Sequence, residues 1–196
     1  MNESDLLAIS TPHGLQRCND VMQAVQEAIY RFEGSINKFL MDDKGSTLIA
    51  VFGLPPLAHE DDATRAILSS MSVCAKLQGL GFCPSVGITT GIAFCGVVGS
   101  RGSRREYTVL GDMVNLSARL MQYSTVHGGG IVVDDATMNA SANRVFFERL
   151  EPINVKGKAQ PVKIFHPYPV WYSFSTFSLF CVDISSQLIG LSFFAA

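Results

Sequence analysis

The order in which helix and strand patterns follow one another most restricts the folds open to this chain. Apolar residues spaced three and four apart predict an amphipathic helix from Val21 to Phe32, with Gly34 as its stop. Two short apolar runs on either side of the turn at 42–45 (DDKG) predict a β-hairpin. A second helix pattern follows the acidic cluster at 59–62, which supplies first-turn carboxylates.

The rest of the chain alternates in the same way. The glycine-rich run at 85–99 predicts a strand at its start, and leaves open whether its second half is a strand or a short helix. Strand patterns follow at 106–111 and 131–134, a helix pattern lies between them at 112–123, and two strands surround a Lys-Gly-Lys turn within 145–168. This order predicts an α/β fold, a ferredoxin-like α+β sandwich with helices packed on a mainly antiparallel sheet.

Composition excludes several classes of protein. The 196 residues fit one domain, and 47% apolar residues are enough for a buried core. A net charge of −2 argues against general nucleic-acid binding. Five scattered cysteines without a CxxC pair argue against a disulfide framework or a zinc site, and favour a reducing compartment. The first residues, MNESDLLAIST, lack the pattern of a secretory signal, so we expect a cytoplasmic protein. Because of the net charge, we expect it to bind no nucleic acid.

The segment from Glu106 to Leu120 carries the most chemical information. Asn115 and Arg119 are four apart, so a helix presents both on one face. An amide beside a guanidinium suits a ribose oxygen and a phosphate that gains charge. Thr108 lies upstream on the predicted strand, where its hydroxyl could accept a hydrogen bond from a base amine. Taken alone, such a pair is more often a solvated helix face, so the surrounding motifs decide.

This segment resembles the core motif of the class III nucleotide cyclases, strand-Gly-x-x-Val-Asn-x-x-x-Arg. Three further stretches are similar to that family and stand in its order: the hairpin at 34–53, the glycine-rich run at 85–99 and the closing hairpin at 153–165 (INVKGKAQPVKIF). Together they span about 16–169, and they most resemble the second cyclase domain of the soluble, bicarbonate-responsive adenylyl cyclases. The resemblance implies the nucleotide cyclase fold.

The resemblance also implies roles for five residues. Lys38 matches the lysine that donates to the adenine ring, and Thr108 matches the residue that accepts from the adenine amine. Asn115 matches the residue that orients the ribose, and Arg119 the arginine that stabilises the transition state. Lys156 matches the lysine that contacts the terminal phosphates. Read singly, the two lysines could be solvated and Thr108 an ordinary strand residue.

The chain departs from the family at the metal site. In the family, a metal-binding half carries two aspartates, one on its first strand and one in the Gly-Asp turn of its hairpin. Here the corresponding hairpin residues are Gly45-Ser46, so the second aspartate is absent. The first-strand motif that holds the other aspartate is not recognisable before the first helix. Asp42 and Asp43 read as turn residues. We therefore assign no metal ligand to this chain. The resemblance implies Mg²⁺ or Mn²⁺ held by a partner, a C1-type cyclase domain with both aspartates.

The resulting hypothesis is a C2-type half of an adenylate cyclase, which converts ATP to cAMP and pyrophosphate only when paired. One alternative is a catalytically inactive regulatory or dimerisation module. Another is a guanylate cyclase, which Lys38 and Thr108 disfavour. Met41, beside the hairpin turn, could line a regulatory site for bicarbonate, although a methionine there is more often simply packed.

The last stretch does not fit the cyclase pattern. We predict a cyclase domain at 1–169 that lacks its first strand, and an apolar tail at 170–196 outside it. The tail is long enough to span a bilayer. Its serines, its internal Asp183 and the absence of flanking basic residues make a membrane span the weaker interpretation.

Overall fold

Helices and strands alternate along the chain, as the sequence predicts. The computed structural model describes residues 12–42, 45–100, 102, 104–169 and 188–195. The helices within these residues are α1 Pro12–Arg31, α2 Asp62–Gly79, α3 Asp112–Val126 and α4 Asp135–Ser141. The strands are β1 Ser35–Asp42, β2 Gly45–Phe52, β3 Cys83–Thr90, β4 Phe94–Gly99, β5 Arg105–Leu110, β6 Gly130–Asp134, β7 Val145–Arg149, β8 Ile164–Pro169 and β9 Leu188–Ala195.

Seven of the described strands form one mixed sheet in the order β1-β2-β9-β3-β6-β8-β7, and β4 and β5 pair separately as a two-stranded ribbon. Four of the seven described strand pairs are antiparallel; the three parallel pairs join β2 to β9, β9 to β3 and β3 to β6. Helices α1 and α2 contact each other, and α2 and α3 both contact β3. The predicted sandwich of helices on a sheet is confirmed, and antiparallel pairs are the majority when the described sheet and ribbon are taken together.

The principal core lies between the sheet and the first two helices. Ile29 of α1, Ile67 of α2 and Ile88 of β3 are fully buried in one apolar cluster. Gly34 separates α1 from β1 for a steric reason, because a Cβ there would lie 2.5 Å from the ring of Phe52. The glycine therefore serves as the predicted stop of the helix and also admits a core aromatic ring.

The sequence pattern leaves strand β4 open, and it does not predict helix α4. The second half of the glycine-rich run is a strand, β4, because it pairs with β5 along its whole length from Phe94 to Gly99. Helix α4 has no counterpart in the sequence prediction. It is seven residues long, and the Asp134 side chain caps it by accepting from the backbone N–H of Thr137 at 2.9 Å.

The last described strand, β9, lies within the stretch predicted to be a tail outside the domain. Strand β9 lies between β2 and β3 and runs parallel to both, with Ser192 opposite Ile49 on one side and Gly87 on the other. The apolar sequence LIGLSFFA suits a strand paired on both edges, since such strands read as continuous apolar runs. Residues 170–187 lie outside the described part of the chain. Among the described residues, no helix is long and apolar enough to cross a membrane.

Candidate active site

Helix α3, which carries Asn115 and Arg119, lies unusually close to β3. A Cβ at Gly87 would stand 2.1 Å from the backbone oxygen of Ser117, so glycine is required for this approach. Leu120 is fully buried on the inner face of the helix. Thr89 Oγ1 donates to the backbone oxygen of Met113 at 2.9 Å and ties the start of the helix to the sheet. The inner face is thereby fixed, and the outer face is presented in one orientation.

The outer face of α3 lines a cavity of about 430 Å³. Asn115 and Arg119 are both exposed and both line it, as their four-residue spacing predicts. The opposite wall is the turn that contains Lys156, so the cavity joins two segments far apart in sequence. Its polar lining residues are Asp112, Asn115, Arg119, Gln122, Lys156 and Lys158.

The turn bearing Lys156 is held against α3 by apolar contacts. Val155 packs on the cluster that contains Leu116 and Leu120. The backbone N–H of Lys158 donates to the oxygen of Val155 at 3.0 Å and closes the turn, with Gly157 at a φ of +93°. These contacts direct the turn toward the cavity.

The cavity is cationic. Arg119, Lys156 and Lys158 line it together with one described acidic residue, Asp112. Arg119 Nη1 donates to Gln122 Oε1 at 3.2 Å, and Lys158 forms an ion pair with Asp112. A guanidinium, an amide and two ammonium groups around one concave surface suit a polyanion with a sugar attached.

The two residues expected to contact the base lie outside this cavity. Lys38 on β1 forms an ion pair with Glu106 on β5, with Nζ 3.0 Å from Oε1. The Lys38 ammonium group holds the pKa of the Glu106 carboxyl below its usual value. Thr108 is buried two residues further along β5, on the same face of the strand as Glu106.

Of the five predicted site residues, the structure therefore brings Asn115, Arg119 and Lys156 to one cavity. Outside this cavity, Lys38 pairs with Glu106, and Thr108 lies on the same face of β5 as Glu106. Sequence reasoning missed Glu106, Asp112 and Lys158. Their charges were visible, but which charges meet depends on how β1 faces β5 and how the turn at 155–158 meets α3. The side chain of Met41 lies outside the described part of the chain.

The described residues do not fit a divalent metal site. Within them, no group of three His, Cys, Asp or Glu side chains is arranged to hold a metal ion. The carboxylate of Asp112 lies in the cavity, but it is paired with Lys158 and surrounded by cations, which opposes a bound divalent cation.

Comparison with known proteins identifies the family. Residues 13–166 match the family model described as the adenylate and guanylate cyclase catalytic domain. The chain belongs to this cyclase family. Cyclase domains of the family use divalent metals, which the described residues here are not arranged to hold.

The chain is similar to human adenylate cyclase type 10, with 36% identity over 144 residues. This match covers 71% of the chain but 9% of the human protein, so the chain spans less than a tenth of that relative's length.

Solved structures show the same fold. The crystal structure of the adenylyl cyclase CyaB from P. aeruginosa superposes with a TM-score of 0.68 at 23% identity, covering 84% of this chain and 87% of that one. The crystal structure of the guanylyl cyclase Cya2 superposes with a TM-score of 0.63 at 28% identity, covering 85% and 82%. Cyclases of both base specificities thus share this architecture.

Proposed function

We propose that the chain is the C2-type half of an adenylate cyclase and converts ATP to cAMP and pyrophosphate when a metal-binding cyclase domain pairs with it. The observation that carries the proposal is the convergence of Asn115, Arg119 and Lys156 on one cationic cavity. The family resemblance assigns these residues to the ribose, to the phosphate that gains charge and to the terminal phosphates, respectively. Helix α3 and the turn at 155–158 hold them facing one another.

In the proposed reaction the ribose 3′-oxygen attacks the α-phosphorus in line, and the bond from that phosphorus to the bridging oxygen of the β-phosphate breaks. Pyrophosphate leaves, and the 3′-hydroxyl proton is lost to the medium. Asn115 orients the ribose, Arg119 meets the negative charge that builds on the α-phosphate, and Lys156 binds the terminal phosphates. In phosphoryl-transfer reactions of this kind, most of the reduction in activation free energy comes from positioning of the reacting groups and from electrostatic stabilisation.

The base is proposed to lie toward β1 and β5. Lys38 would donate to an adenine ring nitrogen while its other protons remain available to Glu106, since an ammonium group has three donors. Thr108 would accept from the adenine amine. This assignment favours ATP over GTP. Because a guanylyl cyclase has the same fold, the fold does not decide between the two nucleotides, and the preference for ATP needs a direct test.

A partner domain is proposed for two reasons. The described residues do not supply a metal site, so the aspartates that bind Mg²⁺ or Mn²⁺ would come from the C1-type partner. The ribbon of β4 and β5 also exposes apolar side chains, with Phe94 60% and Val97 63% exposed. On β5, Leu110 is opposite Phe94 and Tyr107 is opposite Val97, so the ribbon exposes one apolar pair on each of its two faces. These exposed pairs are proposed to pack against the partner domain.

The test is a mixing experiment with the full chain. The chain alone, the C1-type domain alone and the mixture are incubated with Mg-ATP or Mg-GTP, and cyclic nucleotide is measured by chromatography. We expect cAMP from the mixture, little cGMP, and no product from this chain alone. Equal cAMP formation by this chain without a partner would contradict the proposal.

A nucleotide-binding module without catalysis is the second candidate. One observation favours it: Lys38 is paired with Glu106 and, with Thr108, lies outside the cavity that Asn115, Arg119 and Lys156 line. Nucleotide bound by the mixture without cyclic product would select this candidate.

A further inference from the structure

An ion pair joins the two walls of the cavity. Lys158 lies at the end of the turn that carries Lys156, and Asp112 lies in the first turn of α3, one helical turn before Asn115. Both residues line the cavity, and neither is among the residues that the family resemblance assigns a role. Asp112 is 74% exposed and Lys158 is 39% exposed, so the pair lies at the cavity rim.

The turn at 155–158 is anchored on both sides of Lys156. On one side, Val155 packs into the apolar cluster with Leu116 and Leu120 of α3. On the other side, Lys158 is bound to Asp112 of the same helix. Two anchors on one helix restrict the backbone position of the residue between them relative to that helix. Arg119 lies on the same helix, so the anchors also restrict where Lys156 lies relative to Arg119.

We propose that Lys158 is a positioning residue, which through its ion pair with Asp112 holds Lys156 toward Arg119 so that both face the triphosphate of the nucleotide. This inference rests on the proposed function, because it names the device that keeps that function's phosphate-binding residues in place. Lys158 acts through Asp112 and need not contact phosphate itself.

The alternative role for Lys158, direct contact with phosphate, makes the opposite prediction for Asp112. An anion lining a phosphate site weakens phosphate binding, so removal of the Asp112 charge would then tighten binding. If the pair positions the turn, removal of either partner weakens binding, because the turn loses an anchor. The substitution Asp112→Asn therefore separates the two roles.

The test measures binding of inorganic tripolyphosphate to the full chain by calorimetry at low salt. We expect Asp112→Asn and Lys158→Met each to weaken binding about threefold, the range open to an exposed ion pair. The double variant Asp112→Lys with Lys158→Asp is expected to recover binding to within about twofold of the wild type. Lys163→Met is the control for loss of one exposed lysine away from the cavity. Tighter binding by Asp112→Asn, or a charge-swapped chain as weak as the single variants, would overturn the proposal.

Hydrogen exchange gives a readout that does not depend on any ligand. The amide at position 158 donates to the oxygen of Val155 and so reports on closure of the turn. Its exchange is expected to rise about threefold in both single variants and to return in the charge-swapped chain. Unchanged exchange in the single variants would overturn the proposal. A further outcome separates the two proposals. If exchange changes in the variants as expected but the wild-type chain binds no tripolyphosphate, the anchoring role of Lys158 is supported and the proposed function is contradicted.

Discussion

Arg119 stands on the exposed face of α3, and its contribution is expected to be catalytic and not structural. In the paired enzyme, Arg119→Ala should lower kcat about 10²–10³-fold, the usual loss for one preorganised group facing transition-state charge. Its effect on the free energy of unfolding should stay within about 0.5 kcal/mol, because the side chain is exposed. Steady-state kinetics and urea unfolding measure the two quantities.

Arg149→Ala is the matched control for Arg119→Ala, since Arg149 is an exposed arginine on β7 at the far edge of the sheet. This variant should retain wild-type kcat. A paired enzyme that keeps its turnover after Arg119→Ala would contradict the assignment of Arg119.

The ion pair between Lys38 and Glu106 predicts a measurable shift in titration. The pKa of the Glu106 carboxyl is lowered by Lys38, so the pair's stabilisation is complete above the ordinary glutamate pKa and is lost as pH falls through the lowered value. Lys38→Met should move the pKa of Glu106 back toward its usual value. Carbon-detected NMR of the side-chain carboxyl measures this, and an unmoved pKa would contradict the pairing.

Lys38→Met should also raise the KM for ATP in the paired enzyme more than the KM for GTP, because the lost donor is proposed to read adenine. Substitution of Lys163, an exposed lysine on the segment before β8, should leave both KM values unchanged. Equal changes in the KM for ATP and the KM for GTP would contradict a role of Lys38 in base recognition.

The packing of α3 on β3 depends on Gly87. In Gly87→Ala the new Cβ would meet the Ser117 backbone oxygen at 2.1 Å and the Met121 backbone nitrogen at 2.5 Å, so the helix must move away. We expect a loss of about 1–3 kcal/mol in the free energy of unfolding, typical of overpacking, measured by urea denaturation. Gly79→Ala at the end of α2 is the control, because nothing lies within 4 Å of a Cβ there. An equal stability change in both variants would contradict the close approach of α3.

Elements with strong local patterns could be predicted from the sequence, and elements fixed by distant partners could not. The hairpin of β1 and β2 and the start of α3 after Gly111 follow from turn residues and periodicity alone. Strand β4 could not be separated from a helix because its pairing partner, β5, decides it. Helix α4 is too short for a periodic pattern, and its signal was the single capping residue Asp134.

The candidate site divides in the same way. The shared face of Asn115 and Arg119 follows from helical spacing, which is local. The arrival of Lys156 opposite them depends on Val155 docking against α3, which is a tertiary contact. The sequence pattern alone does not encode which lysine of the Lys-Gly-Lys turn pairs with Asp112.

The sheet as a whole depends on β9. Among the described strands, β9 joins the hairpin of β1 and β2 to β3 and the strands beyond it. It therefore connects the strand that carries Lys38 to the layer on which α3 packs. The sequence could not predict this placement, because an apolar run of eight residues does not specify which two strands it enters.

A proline within β9 tests its central position. Ser192→Pro removes a backbone N–H from a strand paired on both edges, and should cost about 3 kcal/mol or more in the free energy of unfolding. Ser192→Ala keeps the N–H and should change stability far less. Urea midpoints compare the two, and an unchanged midpoint in the proline variant would contradict a central β9.

The most direct test of the central proposal uses a C1-type cyclase domain that keeps its two metal aspartates but lacks the asparagine and arginine pair, naturally or by substitution, so that it is inactive alone. This chain is added to it with Mg-ATP, and cAMP is measured. We predict that the wild-type chain restores cAMP synthesis and that the chain with Arg119→Ala does not. Absence of cAMP with the wild-type chain, or equal restoration by the Arg119→Ala chain, would contradict the assignment of this chain as the catalytic C2-type half.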